Sequence, residues 1–194
     1  MSGDPRTIIV AGPNGAGKTT FALEYLRADP LPFLSADAVA ADLAPDDPAR
    51  ARVEAGKVFL RRLGTYIEAE ESFAVETTLA GLGFERLLDR MQPRYDTTLV
   101  FLFLDRPETC LARVRERVAK GGHHVPEADV VRRYYRSKRN FWNVYRFKAN
   151  RWQLYFNATE GVEGVATGDS NGYSVSNDTL FQLFLSDLDD YAGS

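Results

Sequence analysis

The sequence predicts an α/β fold, a five-stranded and mostly parallel sheet with helices on both faces and a small C-terminal β appendage. Three observations predict it. Short apolar runs at 6–11, 33–36, 72–77, 98–104 and 152–157 are separated, through the first four, by helical patterns, the order that builds a parallel sheet covered on both sides. Thr98-Leu99-Val100-Phe101-Leu102-Phe103-Leu104 is apolar almost throughout, as a central strand buried on both faces requires. A glycine-rich turn joins the first strand to the first helix.

The elements follow in order. Arg6 to Ala11 is a short buried strand, and Phe21 to Leu26 reads as the first turns of a helix. After Phe33 to Ala36 comes a helix over Ala38 to Ala44, broken by Pro45-Asp46-Asp47-Pro48. Val53, Val58, Phe59, Leu63, Tyr66 and Ile67 then recur at helical spacing and predict a long helix to about Glu70. Further helices are predicted over Phe84 to Met91, ended by Pro93, and over Pro107 to Ala119, stopped by Gly121-Gly122. Glu127 and Asp129 open another that continues through Arg139 or further. Trp152 to Asn157, Val162 to Thr167 and Tyr173 to Val175 are short extended runs, and an amphipathic helix closes the chain over about Asp178 to Tyr191. All 194 residues suit one domain, with a flap at about 117–136 and the appendage and last helix at about 158–191.

Composition narrows the function. The net charge of -3 gives no global attraction to nucleic acid or to an anionic membrane. One cysteine, Cys110, cannot form an internal disulfide and reads as a core residue, and with only two histidines it leaves no tetrahedral metal site. The first residues hold no apolar signal segment and no apolar run approaches membrane-spanning length, so the expected compartment is the cytoplasm.

Gly12-Pro13-Asn14-Gly15-Ala16-Gly17-Lys18-Thr19-Thr20 fills every slot of G-x-x-x-x-G-K-[ST], between a strand and a helix. Glycines let successive backbone N–H groups turn inward onto phosphate oxygens, and the positive end of the following helix adds to that field. Lys18 would reach the β- and γ-phosphates and the Thr19 hydroxyl would hold Mg²⁺. The motif therefore points to a P-loop NTPase with a nucleoside triphosphate, ATP or GTP, and Mg²⁺ as cofactors, and it does not identify the reaction.

Ligands of open α/β sheets sit beyond the carboxyl ends of the strands, and three carboxylates fall there: Asp37, Glu76 and Asp105. Asp37 suits a catalytic base, a Mg²⁺ ligand or a helix N-cap. Glu76 leads a polar trio with Thr77 and Thr78 inside an apolar strand context, as a site carboxylate or a solvated strand end. Asp105 closes an apolar strand and could support Mg²⁺ through water, or belong to an ordinary strand-to-helix turn.

Arg113, Arg115, Arg117 and Lys120 precede Gly121-Gly122-His123-His124-Val125-Pro126, and Arg132, Arg133 and Arg136 follow it. A flap of this kind could close over the transferring phosphate, with Arg117 and Arg133 supplying cationic transition-state stabilisation and the histidines ordering the loop. Arg115 reads as a solvated residue. From Arg132 to Arg151 the chain carries eight basic residues, no acidic one and six interleaved aromatics. That is a nucleic-acid surface or a helix burying its rings against the sheet; the acidic balance of the whole chain favours the second.

Gly12 to Thr20, Phe33-Leu34-Ser35-Ala36-Asp37, Phe73-Ala74-Val75-Glu76-Thr77-Thr78-Leu79 and Gly121 to Pro126 with Arg133-Tyr134-Tyr135-Arg136-Ser137 together resemble the short bacterial zeta-toxin-like kinases, sometimes labelled predicted ABC-type ATPases. The resemblance spans about residues 6–157. It implies a P-loop NTPase fold of kinase-like type and an ATP-dependent kinase in which Asp37 deprotonates the acceptor hydroxyl, Glu76, Thr77 and Thr78 contact the acceptor with Arg136 nearby, and Arg117 and Arg133 grip phosphates. Full-length zeta toxins phosphorylate UDP-N-acetylglucosamine, so the resemblance implies a small-molecule acceptor such as a UDP-N-acetyl sugar, with an antitoxin protein as candidate partner. A mechanical ABC ATPase would need an LSGGQ-like segment, which the chain lacks.

Overall fold

The structure, a computed structural model, describes residues 4–46, 50–122, 124–158 and 161–189. Its strands are Arg6–Ala11 (β1), Phe33–Leu34 (β2), Phe73–Thr77 (β3), Asp96–Phe103 (β4), Arg151–Ala158 (β5), Gly161–Asp169 (β6) and Tyr173–Val175 (β7), in the spatial order β2-β3-β1-β4-β5-β6-β7. The first five are mutually parallel, and β6 and β7 add antiparallel. The helices are Lys18–Tyr25 (α1), Ala36–Leu43 (α2), Arg52–Glu68 (α3), Glu85–Met91 (α4), Pro107–Ala119 (α5), Glu127–Asn143 (α6) and Asp178–Asp189 (α7).

The two-sided covering follows from alternation along β1 and β4. Ile9, Ala11, Leu99, Phe101 and Phe103 pack with residues of α2, α3, α4, α6 and α7. Ile8, Val10, Val100 and Leu102 point the other way, onto Phe21, Ala22 and Tyr25 of α1, because successive strand side chains take opposite faces. Leu99 to Phe103 are each 0% exposed, as their unbroken apolar run predicts.

Among the described residues the sheet has seven strands rather than five. The segments expected as a separate β appendage continue the main sheet: β6 returns along β5 with Trp152 opposite Gly168 and Asn157 opposite Val162, and β7 follows with Thr167 opposite Ser174. The β6–β7 turn is held by the Asp169 carboxylate, which accepts from the Asn171 and Gly172 N–H groups at 2.7 and 3.2 Å. Alternation and turn residues announce such strands, but not the edge they join.

The helix boundaries agree closely with the sequence reading, with one functional difference. α2 begins at Ala36 with Ser35 as its N-cap residue, so Asp37 lies inside the first turn rather than at the cap. The last helix is described to Asp189, and its predicted end at Tyr191 lies outside the described residues, as does His123. No helix among the described residues is long and apolar enough to cross a membrane.

α7 is anchored by rings and by one buried ion pair. Phe184 packs on Phe101, Phe103 and Phe141. Asp187 meets Lys138 of α6 at 2.5 Å and accepts from the Tyr134 hydroxyl at 2.6 Å, with Lys138 fully buried. Of the six aromatics of the basic stretch, Tyr134, Phe141 and Tyr145 are buried in the core, Tyr135 and Trp142 are half-buried and Phe147 is exposed. Several of its cations face acids or rings, with Arg132 on Asp129, Lys148 on Asp89 and Glu85, Arg151 on Asp96 and Arg146 stacked 3.7 Å over Trp142.

Candidate active site

The turn between β1 and α1 is built so that only glycine fits at its critical positions. Gly15 and Gly17 have φ of 82° and 79°, in the left-handed region that disfavours side chains. A Cβ at Gly17 would also lie 2.4 Å from the Asn157 amide nitrogen, and one at Gly15 would lie 2.7 Å from the Cys110 carbonyl oxygen. β5 and α5 thus support the loop from behind, and the Asn157 amide donates to the Ala16 carbonyl at 2.8 Å. No side chain caps the start of α1, so its first N–H groups are left for an anion.

Lys18, the first residue of α1, is 7% exposed. Its ammonium donates to the Pro13 carbonyl at 3.0 Å and stands 3.7 Å from Glu76 Oε1. Burial pulls the Lys18 pKa down, while Glu76 and Asp37 push it up and Arg117 adds to the lowering. Thr19 donates its hydroxyl to Glu76 Oε2 at 2.7 Å. Parallel pairing makes that contact: β3 lies beside β1 with Glu76 opposite Val10, so the end of β3 emerges next to the glycine turn.

Beyond Glu76 the chain turns sharply. Leu79 takes φ of 51° while 2% exposed, a conformation that persists in a leucine only where surroundings impose it. α6 and the turn after it do so: Asn140 donates to the Leu79 carbonyl at 2.8 Å and the Tyr145 hydroxyl to the Gly81 carbonyl at 2.6 Å.

Arg117 enters from the last turn of α5. There Gly121, at φ 86°, donates to the Val118 carbonyl, and Gly122 donates to the Arg117 carbonyl at 2.9 Å, a Schellman-type end that fixes the last turn. Arg117 Nη1 lies 3.8 Å from Asp37 Oδ2, and the Asp37 side chain is 60% exposed. Arg133 of α6 donates to Asn14 Oδ1 at 3.2 Å, with Asp129 at 3.9 Å.

These groups converge on one cleft of about 310 Å³, lined by Asn14, Lys18, Asp37, Glu76, Thr77, Thr78, Arg117 and Arg133 together with Ser35, Ala36, Ala40 and Phe59. Two expected residues stand elsewhere. Arg136 is exposed and outside the cleft lining, because the buried face of α6 is formed by Val130, Tyr134, Ser137, Lys138 and Phe141. Asp105 accepts from Thr109 at 2.6 Å and pairs with Arg106 at 3.3 Å; its contacts are those of a strand-to-helix turn, and the carboxylate beside Thr19 is Glu76. Arg115 is paired with Glu127 at 2.6 Å on the exposed side of α5. Asn157 and Phe59 were not singled out from the sequence. A polar residue ending an apolar strand was the available signal for Asn157, whereas Phe59 looks like any core position of an amphipathic helix.

Comparison with known proteins gives a consistent picture. The family AAA_33, described as an AAA domain, matches residues 8–137. An uncharacterized protein of Haemophilus influenzae is 29% identical over 131 residues, which cover 66% of this chain and 92% of that protein. Among solved structures, a chain of the AvrRxo1-ORF1:-ORF2 complex with ATP superposes with a TM-score of 0.73 at 17% identity, over 98% of this chain and 66% of that one. In the same complex with sulphate ions, this chain spans 64% of the length of its counterpart. The PezAT chromosomal toxin-antitoxin system of Streptococcus pneumoniae gives a TM-score of 0.67 at 18% identity, over 95% of this chain and 80% of that one. These likenesses show a shared P-loop fold.

Proposed function

The chain belongs to the AAA_33 family of AAA domains, and from that premise we propose that it is an ATP-dependent phosphotransferase moving the γ-phosphoryl group to a hydroxyl of a small molecule. One observation carries the reading: a carboxylate suited to be a base, Asp37, lines the same cleft as the phosphate-loop lysine and two arginines, one from α5 and one from α6. A triphosphatase acting on water needs the loop; it does not need an acceptor wall. Here Phe59, Thr77 and Thr78 provide one, with an apolar face and two hydroxyls.

The chemistry follows from the placement. The acceptor hydroxyl gives its proton to an Asp37 carboxylate oxygen as its oxygen bonds to the γ-phosphorus, and the bond to the bridging oxygen breaks with ADP leaving. Lys18, Arg117 and Arg133 balance charge on the β- and γ-phosphate oxygens, which is the main work of such sites. Mg²⁺ fits the donor set, which offers hard oxygens in Thr19 and the cleft carboxylates, and when bound it supplies charge neutralisation and orientation of the phosphates. Among the described residues no cluster of three His, Cys, Asp or Glu could hold a metal alone, in keeping with an ion that takes most of its ligands from phosphate and water.

The resemblance to zeta-toxin-like kinases extends the proposal to a UDP-N-acetyl sugar as acceptor, to an antitoxin protein as partner and to the cytoplasm, where ATP and Mg²⁺ are supplied. Incubation with Mg²⁺, ATP and a panel of nucleotide sugars, read by mass spectrometry, is expected to give one product heavier by a phosphoryl group, absent with Lys18→Ala. The same panel includes 5′-hydroxyl oligonucleotides. A phosphorylated oligonucleotide with no modified sugar would replace the sugar-acceptor reading by a nucleic-acid kinase.

Gly122→Ala tests the arginine. Its new Cβ would lie 2.6 Å from Arg117 Cγ and 2.8 Å from the Arg117 carbonyl oxygen, so the end of α5 must shift and carry the guanidinium with it. Misplacement on that scale costs about 10- to 100-fold in kcat. Steady-state kinetics that leave kcat unchanged would remove Arg117 from the transition state.

A further inference from the structure

We propose that Asn140 is a positioning residue for the phosphoryl acceptor: through the turn at Leu79 it holds the threonine hydroxyls of the acceptor wall at a set distance from the phosphate loop. This role deepens the phosphotransferase reading above and rests on it.

The left-handed backbone of Leu79, at φ 51°, is costly for a leucine, and it has a local use. Thr77 Oγ1 accepts from the Leu79 N–H at 3.3 Å, and Thr78 Oγ1 accepts from the Ala80 N–H at 3.4 Å. The torsions of Leu79 set the angle between those two N–H groups, so relaxation to negative φ breaks at least one of the bonds. A hydroxyl that accepts from the backbone keeps its own proton to donate, and both threonines line the cleft. The turn thus presents two donors to lone-pair atoms of the acceptor.

The clamp on this turn comes from the helix that also reaches the phosphate loop. Asn140 Nδ2 of α6 donates to the Leu79 carbonyl at 2.8 Å, and just beyond α6 the Tyr145 hydroxyl donates to the Gly81 carbonyl at 2.6 Å. α6 is seated on the sheet beside that amide: Phe141 stacks on Phe101 of β4 with ring centroids 4.5 Å apart, and Lys138 is paired with Asp187. Arg133, seven residues before Asn140 and so on nearly the same helix face, donates to Asn14 Oδ1 of the phosphate loop at 3.2 Å. At 1.5 Å per residue the two anchor points are about 10 Å apart along one helix. α6 therefore ties the donor loop at one point and the acceptor wall at another, and helix geometry sets the gap between them.

The test uses the full chain with Mg²⁺, ATP and, as acceptor probes, the nucleotide sugars and 5′-hydroxyl oligonucleotides of the panel. Asn140→Ala is expected to lose about 10- to 100-fold in kcat/KM for the acceptor that wild type phosphorylates. It should send a larger share of the γ-phosphate to water, while calorimetry shows a non-hydrolysable ATP analogue bound as in wild type. Asn140→Gln, which keeps the donor, should recover part of the loss. Added to the pair Thr77→Val and Thr78→Val, Asn140→Ala should cost little more, because it acts through those hydroxyls. Should Asn140→Ala fail to fold by circular dichroism, Tyr145→Phe, which removes the second clamp, carries the same expectations. An unchanged acceptor kcat/KM, a loss of analogue binding in step with transfer, or a full additional loss on the threonine pair overturns the role and leaves the kinase reading standing. Failure of wild type to phosphorylate any probe, with the γ-phosphate passing only to water, overturns the kinase reading itself and this role with it.

Discussion

Asp37→Asn is expected to slow phosphoryl transfer by about 10²- to 10⁴-fold, the usual worth of a general base, while ATP binding is retained. The substitution keeps the size of the side chain and its ability to hydrogen-bond the acceptor hydroxyl, but removes the site that takes the proton. The position supports this reading over a structural one. Asp37 is not the N-cap of α2, since Ser35 is, and its carboxylate is 60% exposed to the cleft with Arg117 at 3.8 Å. An exposed acid in a first helical turn contributes about 0.3–1 kcal/mol to stability, so a purely structural Asp37 would change the melting temperature slightly and the rate not at all. Single-turnover transfer and thermal denaturation of the same variant separate the cases. A variant with a wild-type rate would remove Asp37 from the chemistry.

Asp187→Ala is expected to have the largest effect on stability. It leaves the fully buried Lys138 ammonium without its carboxylate and takes an acceptor from the Tyr134 hydroxyl. Breaking a buried pair from one side costs about 3–5 kcal/mol, and at about 2–4 °C per kcal/mol for a chain of this size the melting temperature should fall by roughly 6–20 °C. Burial already draws the Lys138 pKa down against the opposing pull of Asp187, and removing Asp187 leaves burial unopposed. Three rings lie around the ammonium, those of Phe103, Tyr134 and Phe184 at 5.0–5.2 Å, and they soften the loss without replacing the carboxylate. The double variant Lys138→Met with Asp187→Leu should recover most of it, because paired apolar replacements fill the same space without a stranded charge. Because α6 carries Arg133 and Asn140, loosening α7 should also lower activity before the chain unfolds. Thermal denaturation showing Asp187→Ala within 1 °C of wild type would mean that the pair is not a keystone of the α6–α7 contact.

Much of this was legible in the residues because the relevant signals are local. The phosphate loop is specified by backbone conformations that glycine alone adopts at Gly15 and Gly17, and the apolar run of β4 could only be a strand buried on both faces. The ends of parallel strands meet at one edge, which is why Asp37 and Glu76 fall beside Lys18. What was not legible depends on tertiary choice. Whether Glu76 or Asp105 faces Thr19 is decided by the order of strands and by the partners each carboxylate finds, and Thr109 and Arg106 claim Asp105. The rotation of α6 is set by the burial of Tyr134, Ser137, Lys138 and Phe141, which points Arg136 away from the cleft while Arg133 enters it. The joining of β6 and β7 to the main sheet depends on a free edge at β5, which no short window of sequence reveals.

The most direct test of the central claim is the fate of the γ-phosphoryl group under single-turnover conditions with labelled ATP, Mg²⁺ and the acceptor panel. The phosphotransferase account predicts label in one organic product, formed in step with ADP and lost in Lys18→Ala and Asp37→Asn. Label recovered only as inorganic phosphate, at the same rate with and without every acceptor, would contradict it.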